Sequence, residues 1–268
     1  MTKIAIITAM EREVAPLIRS WKMRTVEHGG WRFRLFENDE AALVCGGIGA
    51  EAARRATEAV IREVKPLRVI SAGFAGALGA SQRVGDILEP RTVINIADGA
   101  RTEVGSGEGI LVSCAEMAGK GQKIHLSKAY GASAVDMEAA AVAQGAEARG
   151  VEFGALKVIS DALDFNLPAL DRFVRHDGTF HSVRFACHVA LRPWLWATTI
   201  ALARNSSKAS HALCGALDSY LGREVHGGRI LRGESSASDR NENQSGPVFA
   251  GAHTRPGDQS HTRTEGKQ

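Results

Sequence analysis

The chain has 268 residues, 44% of them hydrophobic, which is enough to build one sizeable core. Its net charge of +3 is small and dispersed, which argues against a nucleic-acid partner. The sequence carries no recognisable cofactor fingerprint, and we expect none to be needed. We also expect no metal site, because no CxxC or Cys/His ligand spacing occurs around the cysteines Cys45, Cys114, Cys187 and Cys214.

Two apolar stretches decide the expected location of the protein. Residues 4–9 run directly into the charged residues Glu11, Arg12 and Glu13, so they predict a buried strand and not a secretory signal. Residues 189–203 are interrupted by charge and proline and are too short to span a bilayer. We therefore expect a soluble, cytoplasmic protein.

Strands and helices alternate in the first half of the chain. The predicted elements, in order, are a buried strand at 3–8, a short helix, an antiparallel pair at 31–36 and 41–45, a helix at 50–64 and a strand at 68–71. The helix at 50–64 is the clearest of these, because its apolar positions form one stripe and Pro66 follows it.

The alternation continues to about residue 165. We expect strands at 84–90, 92–97, 109–113 and 153–159, a helix at 137–148, a polar loop at 98–109 and a mobile loop within 117–130. This order predicts an α/β fold with a mixed, mainly parallel central sheet flanked by helices.

The alternation of strand and helix patterns ends after residue 166. Three short apolar patterns predict a helical extension at 167–222, which completes a domain at 1–222. Residues 223–268 are rich in Gly, Ser, Asn, Asp, Arg and His and contain few residues to bury. Because so little apolar surface cannot offset the entropy lost on ordering, we expect a disordered tail there.

Two glycine clusters follow predicted strands. Gly46, Gly47 and Gly49 precede a helix and predict free backbone N–H groups that face an anion or a hydroxyl. The GxGxxG spacing of dinucleotide-binding proteins is absent. Gly73 and Gly76 predict a second loop of close approach, although structural turns explain such clusters as well.

Three acidic residues are the candidates for chemistry. Asp161 directly follows an apolar strand, where burial would favour its protonated form as a donor to a leaving group, although a turn or cap role is also open. Glu138 lies in the predicted first turn of a helix, where it could simply serve the helix dipole. Glu13 belongs to a charged run that also suits a solvated helix face. If the three converge, one acid, one base and one hydroxyl-binding group would suffice to cut a glycosidic bond.

Six motifs carry a resemblance to a known family. They are Ile4–Val14, Cys45–Gly49, Ser71–Gly76, Val84–Asp86, Val135–Glu138 and Val158–Asp161. In this order the motifs resemble the nucleoside phosphorylase/nucleosidase superfamily, and within it the methylthioadenosine/S-adenosylhomocysteine nucleosidases. The resemblance covers roughly residues 3–165 and implies a three-layer fold of that family and a homodimer.

The resemblance also implies roles for particular residues. Glu13 matches the base that activates water, and Met137 and Glu138 match the pair that holds the ribose. Asp161, oriented by Ser160, matches the acid that protonates N7 of adenine. The remaining substrate contacts implied by the motifs are Gly49, Phe74, Ala75 and Gly76.

The chain departs from the nucleosidases in three places. Phe74 stands where those enzymes carry a small or hydroxyl residue, and the region 98–135 is shorter than theirs. The helical part after residue 167 is more similar to the hopanoid-associated phosphorylases, which release adenine from a lipid-linked adenosine. For such a substrate, Trp194 and Trp196 would form a peripheral membrane contact, whereas a dimer or core surface is the simpler explanation for them.

These observations leave three functions open. The first is hydrolytic release of adenine from a 5′-substituted adenosine of the methylthioadenosine or S-adenosylhomocysteine class. The second is phosphorolysis, with phosphate held by residues 46–49 and an arginine such as Arg12. The third is nucleoside binding without catalysis on the same fold, which retention of all three carboxylates disfavours.

Overall fold

The computed structural model describes residues 4–105, 107–165, 173–175 and 178–238. Its eleven strands are β1 (Ile4–Thr8), β2 (Lys22–His28), β3 (Trp31–Glu37), β4 (Ala41–Cys45), β5 (Arg68–Ala77), β6 (Ile87–Leu88), β7 (Thr92–Asn95), β8 (Arg101–Glu103), β9 (Ile110–Ser113), β10 (Ala134–Asp136) and β11 (Glu152–Asp161). Its helices are α1 (Glu11–Ile18), α2 (Ala50–Val64), α3 (Lys120–Tyr130), α4 (Ala139–Glu147), α5 (Ser182–Ala190) and α6 (Trp196–Ser238), with a short 3₁₀ helix at Pro193–Leu195.

The strands form one mixed sheet with the order β2-β3-β4-β1-β5-β10-β9-β7-β8, and β11 lies along β5. Its centre is parallel: β1 pairs with β4 and β5, and β11 pairs with β5. The edges are antiparallel, as is the junction of β5 with β10. The predicted α/β fold with a mixed sheet and flanking helices is confirmed.

Two apolar layers cover the sheet because successive side chains of a strand point to opposite faces. On β1, Ala5 and Ile7 pack with α2 and α4, whereas Ile6 packs on the other side with α1 and α6. The stripe of α6 that reaches this second layer has a helical spacing: Ala209, Leu213, Leu217 and Leu221. Thus α6 is part of the core that supports the sheet.

Several local predictions differ from the structure. The segment predicted as a mobile loop within 117–130 forms helix α3, whose buried side chains are those of Lys123 and Leu126. Residues 73–76, predicted as a loop, lie inside β5, and the polar loop at 98–109 contains β8. The edge strand β2, which the sequence analysis missed, pairs along its full length with β3.

The C-terminal part is described as far as Ser238. The boundary expected at residue 222 lies inside α6, which continues to Ser238, so residues 223–238 are helical where a disordered tail was expected. The chain has two compact units, residues 1–226 and residues 227–268. Residues 239–268 and residues 166–172, where the expected helical extension begins, lie outside the described residues.

Two further observations concern cysteines and membranes. Cys45, Cys114 and Cys214, the cysteines whose side chains the structure describes, are free thiols. Among the described residues, none of the helices has both the length and the apolar character needed to cross a bilayer.

Candidate active site

The ends of three parallel strands and the starts of two helices meet around one cleft. Its empty space, counted together with the solvent at its open mouth, is about 870 Å³. The lining comes from distant parts of the sequence and includes, in chain order, Met10, Arg12, Glu13, Ile48, Phe74, Ala75, Gly76, Met117, Lys123, Met137, Glu138, Ser160, Asp161, Phe180, Leu202 and Ser206. The three carboxylates singled out in the sequence therefore share one cavity.

Glu13 is held at the beginning of α1. Its side chain is only 2% exposed, and its Oε2 atom accepts a hydrogen bond of 3.4 Å from the backbone N–H of Met10. The pKa of Glu13 is raised to about 7, mainly by burial and also by the charge of Glu138, while Lys157 lowers it. A carboxylate with this pKa exchanges protons near neutral pH, as a general base must.

Glu138 is the N-cap residue of α4, one position before the first turn in which it was predicted. Its carboxylate accepts hydrogen bonds from the backbone N–H groups of Gly49, at 2.8 Å, and Met137, at 3.3 Å. Its pKa is raised to about 7, mainly by burial and also by the charge of Asp136, while Lys157 lowers it. The side chain is thus fixed from two sides while it lines the cavity.

The loop at 46–49 does not offer the free donors that the sequence predicted. The N–H groups of Gly46, Gly47 and Ile48 donate to the carbonyl oxygens of Thr8, Ala9 and Gly178. The fourth, that of Gly49, donates to Glu138. Gly49 therefore acts on the cavity through Glu138, and the prediction of an open anion cradle was wrong.

Asp161 ends β11 and is 6% exposed. Its Oδ1 atom accepts a hydrogen bond of 2.8 Å from the hydroxyl of Ser160, as the sequence analysis expected. Its Oδ2 atom accepts from the ammonium of Lys123, which also donates to the carbonyl of Ala162 at 2.8 Å. The carboxyl group consequently lies beside a buried cation and not in the apolar surroundings that the sequence suggested.

A buried polar network lies beneath the carboxylates. Lys157 forms an ion pair with Asp136 and donates to the hydroxyl of Ser71. Asp136 also accepts from the hydroxyl of Ser113. Burial alone would lower the pKa of Lys157, but Asp136, Glu138 and Glu13 together raise it, so the lysine stays charged.

Phe74, Ala75 and Gly76 form one wall of the cleft, as expected, but from within β5. The glycines of this strand leave room for neighbouring side chains. A Cβ atom at Gly73 would lie 3.2 Å from Oε2 of Glu13, and one at Gly76 would lie 3.0 Å from Cε of Lys123.

Lys123, Lys157 and Asp136 were not predicted as site residues from the sequence. Lys157 carried a visible signal, because a charged residue inside the apolar run 155–159 implies a buried partner. Lys123 carried no such signal, since its helix has few periodic apolar positions. Among the described residues, no cluster of His, Cys, Asp or Glu has the geometry of a metal site.

The chain is similar to known proteins in both sequence and fold. A family model described as the phosphorylase superfamily matches residues 3–118 and 106–179. A 5′-methylthioadenosine/S-adenosylhomocysteine nucleosidase of Actinobacillus succinogenes is 30% identical over 202 residues, or 60% of this chain and 86% of that protein. The nucleosidase of the same name from Hydrogenovibrio crunogenus is 37% identical over 95 residues, or 34% of this chain and 40% of that protein.

Several curated relatives are matched over only 37–40% of their own length. The fold is similar over a longer span. A crystal structure of the Helicobacter pylori nucleosidase, with butyl-thio-DADMe-Immucillin-A, covers 84% of this chain and 99% of its own, with a TM-score of 0.62 and 20% identity. Because the family model spans about two thirds of the sequence and its fold is the one observed, the chain belongs to the phosphorylase superfamily.

Proposed function

We propose that this protein cleaves the N-glycosidic bond of a 5′-substituted adenosine of the methylthioadenosine or S-adenosylhomocysteine class, with water as the nucleophile and adenine as a product. The observation that carries this proposal is the arrangement of Glu13, Glu138 and Asp161 around one cleft. The names of the curated relatives, which are nucleosidases, point to the same small-molecule chemistry.

Glu13 and Glu138 have different roles on the ribose side of the bond. Glu13, with its pKa near 7, accepts a proton from the attacking water. Glu138 is held by two backbone N–H groups and presents its carboxylate to the ribose hydroxyls, while Met137 packs beside the sugar. Water held by Glu13 attacks the face of the sugar opposite the base, as in inverting glycosidases.

Asp161 delivers a proton to the leaving group. As the bond from C1′ to N9 lengthens, the sugar becomes oxocarbenium-like and negative charge accumulates on adenine, so a proton delivered to N7 stabilises the transition state. Ser160 fixes the orientation of Asp161, and Phe74, Ala75 and Gly76 supply the wall beside it. Asp161→Asn should keep the fold and lose most of the turnover, because an amide cannot pass on this proton.

The backbone donors favour water over phosphate as the nucleophile. All four N–H groups of residues 46–49 are already engaged within the chain, so they are not available to an oxyanion. Arg12 is the feature that favours phosphorolysis, since it lines the cleft with its guanidinium 5.6 Å from the ring centroid of Phe180. Phosphorolysis is therefore the second candidate.

One assay separates these candidates and the non-catalytic alternative. Adenine release from methylthioadenosine is measured by chromatography in a phosphate-free buffer and again with phosphate added. Equal release in both supports the proposal, and strict dependence on phosphate would assign the reaction to a phosphorylase. Tight binding of the nucleoside without any release would assign the chain to the binding proteins.

A patch of exposed apolar side chains begins next to the cleft. Leu191, Trp194, Trp196 and Ile200 are 78%, 73%, 51% and 52% exposed. Trp196 and Ile200 lie on α6, and Leu202 of that helix lines the cleft. Exposed patches of this kind mark contact surfaces. We propose that a second copy of the chain or a lipid surface covers it, as a homodimer or as a peripheral membrane contact. Sedimentation velocity and flotation with phosphatidylglycerol-containing vesicles distinguish the two.

A further inference from the structure

The strongest unassigned feature of the cleft is the buried lysine beside Asp161. Lys123 is 1% exposed, lines the cavity and donates both to Oδ2 of Asp161 and to the carbonyl of Ala162. Taking an ammonium out of water is costly, so a buried lysine beside a ligand cavity is more informative than one on a surface. The pair must serve either the fold or the reaction.

The environment of the pair holds both side chains in one arrangement. The hydroxyl of Ser160 occupies the other oxygen of Asp161, at 2.8 Å from Oδ1. On the opposite side the pair packs directly on the backbone of β5, because a Cβ atom at Gly76 would lie 3.0 Å from Cε of Lys123 and 3.1 Å from Oδ2 of Asp161. This placement is what a positioned proton donor needs.

The hydrogen bonds also show which donors could supply a proton to Asp161. Both oxygens of Asp161 accept hydrogen bonds, from Ser160 and from Lys123, whereas the lysine nitrogen is a donor only. Each carboxylate oxygen is thus an acceptor with a donor beside it, and Lys123 is the charged one of these two donors.

We propose that Lys123 positions Asp161 and supplies the proton that Asp161 delivers to the leaving base. The inference rests on the proposed glycosidic cleavage. As C1′–N9 breaks, the Lys123 ammonium gives a proton to Asp161, and Asp161 passes it to N7 of the base. The attacking water gives its own proton to Glu13. After product release the neutral amine takes a proton from solvent and Glu13 returns one, so the cycle is balanced.

The test compares two substrates with the same sugar and different leaving groups. Methylthioadenosine needs a proton on its base, whereas p-nitrophenyl 5-methylthioriboside releases a phenolate that leaves unprotonated. For Lys123→Met we expect kcat for adenine release to fall by about 100-fold or more with little change in KM, the usual contribution of a general acid. Release of p-nitrophenolate should stay within about threefold of wild type, because this leaving group needs no proton from Asp161.

The controls separate proton supply from a structural role. Glu13→Gln should impair both substrates, and intact p-nitrophenol release by Lys123→Met would itself show that the cleft is folded. For Lys123→Ala, added ethylammonium should restore adenine release, whereas tetramethylammonium, which has the charge but no N–H, should not.

Three results would overturn the inference. Equal losses for both substrates would reduce Lys123 to a structural residue, and unchanged adenine release by Lys123→Met would remove it from the reaction. Rescue of Lys123→Ala by tetramethylammonium would show that Lys123 contributes its charge and not a proton. A wild-type protein that released neither leaving group would instead overturn the proposed function, and the inference with it.

Discussion

The Nζ atom of Lys157 lies 2.8 Å from Oδ2 of Asp136, and neither residue is more than 5% exposed. The pair connects β11 to the end of β10, directly beneath the carboxylates of the cleft. Its cation lowers the pKa values of both Glu13 and Glu138 and so limits the rise that burial causes. One ion pair therefore acts on both the stability of the fold and the acidity of the site.

Removal of the lysine charge should be strongly destabilising. Lys157→Met leaves Asp136 buried without its cation, and we expect the free energy of unfolding to fall by about 3–5 kcal/mol. Urea unfolding at pH 7.5 measures it. The matched control is Arg32→Met, which breaks the exposed pair with Glu27 and should cost less than about 1 kcal/mol. Similar losses for the two variants would contradict the buried role of Lys157.

The sequence predicted those parts of the fold that depend on local pattern. Helix α2 has the predicted bounds, because its apolar stripe, its preceding glycine and its C-terminal proline are all visible in the sequence. The convergence of Glu13, Glu138 and Asp161 follows from their places at strand ends and helix starts, since such ends meet in an α/β sheet.

The contacts that tune the site could not be predicted in the same way. Lys123 and Asp161 are 38 residues apart, and α3, which carries the lysine, lacks the periodic apolar positions that indicate a helix. The hydrogen bonds of the 46–49 loop depend on Gly178, which lies in another part of the chain. Such pairings are set by sheet register and tertiary packing, which no local pattern encodes.

The rate of adenine release should fall steeply in acid. Glu13 acts as a base only when ionised, and burial raises its pKa to about 7, so kcat/KM should decrease below pH 7 and level off above it. In Glu138→Gln the neighbouring charge that raises the pKa of Glu13 is gone. The acid limb of the residual activity should therefore move to lower pH. If the acid limb does not move in this variant, the charge of Glu138 does not affect the pKa of Glu13.

The same burial predicts how stability depends on pH. The pKa of Glu13 is raised from 4.5 to about 7 in the folded state, so its contribution to stability is complete below pH 4.5 and is lost as the pH rises through 7. Glu13→Gln removes this loss. The variant should exceed wild type by up to about 3 kcal/mol at pH 8, at about 1.4 kcal/mol per pKa unit, and by little at pH 4.5. Urea unfolding at both pH values tests this, and a gain of equal size at both would show that Glu13 is not a buried acid in the folded protein.

Gly76 should be essential to the chemistry and dispensable for the fold. An alanine Cβ there would lie 3.1 Å from Oδ2 of Asp161 and 3.0 Å from Cε of Lys123, so the ion pair has to shift by a few tenths of an ångström. Because a small misplacement of a catalytic group is costly, Gly76→Ala should lower kcat for adenine release by about 10-fold or more. Its melting temperature should change little, since the backbone of Gly76 is not in the left-handed region.

Gly121→Ala in α3 is the control, because a Cβ at Gly121 meets nothing within 4 Å, and its activity should remain that of wild type. Full activity of Gly76→Ala would mean that the rate of adenine release does not depend on how Lys123 and Asp161 are packed.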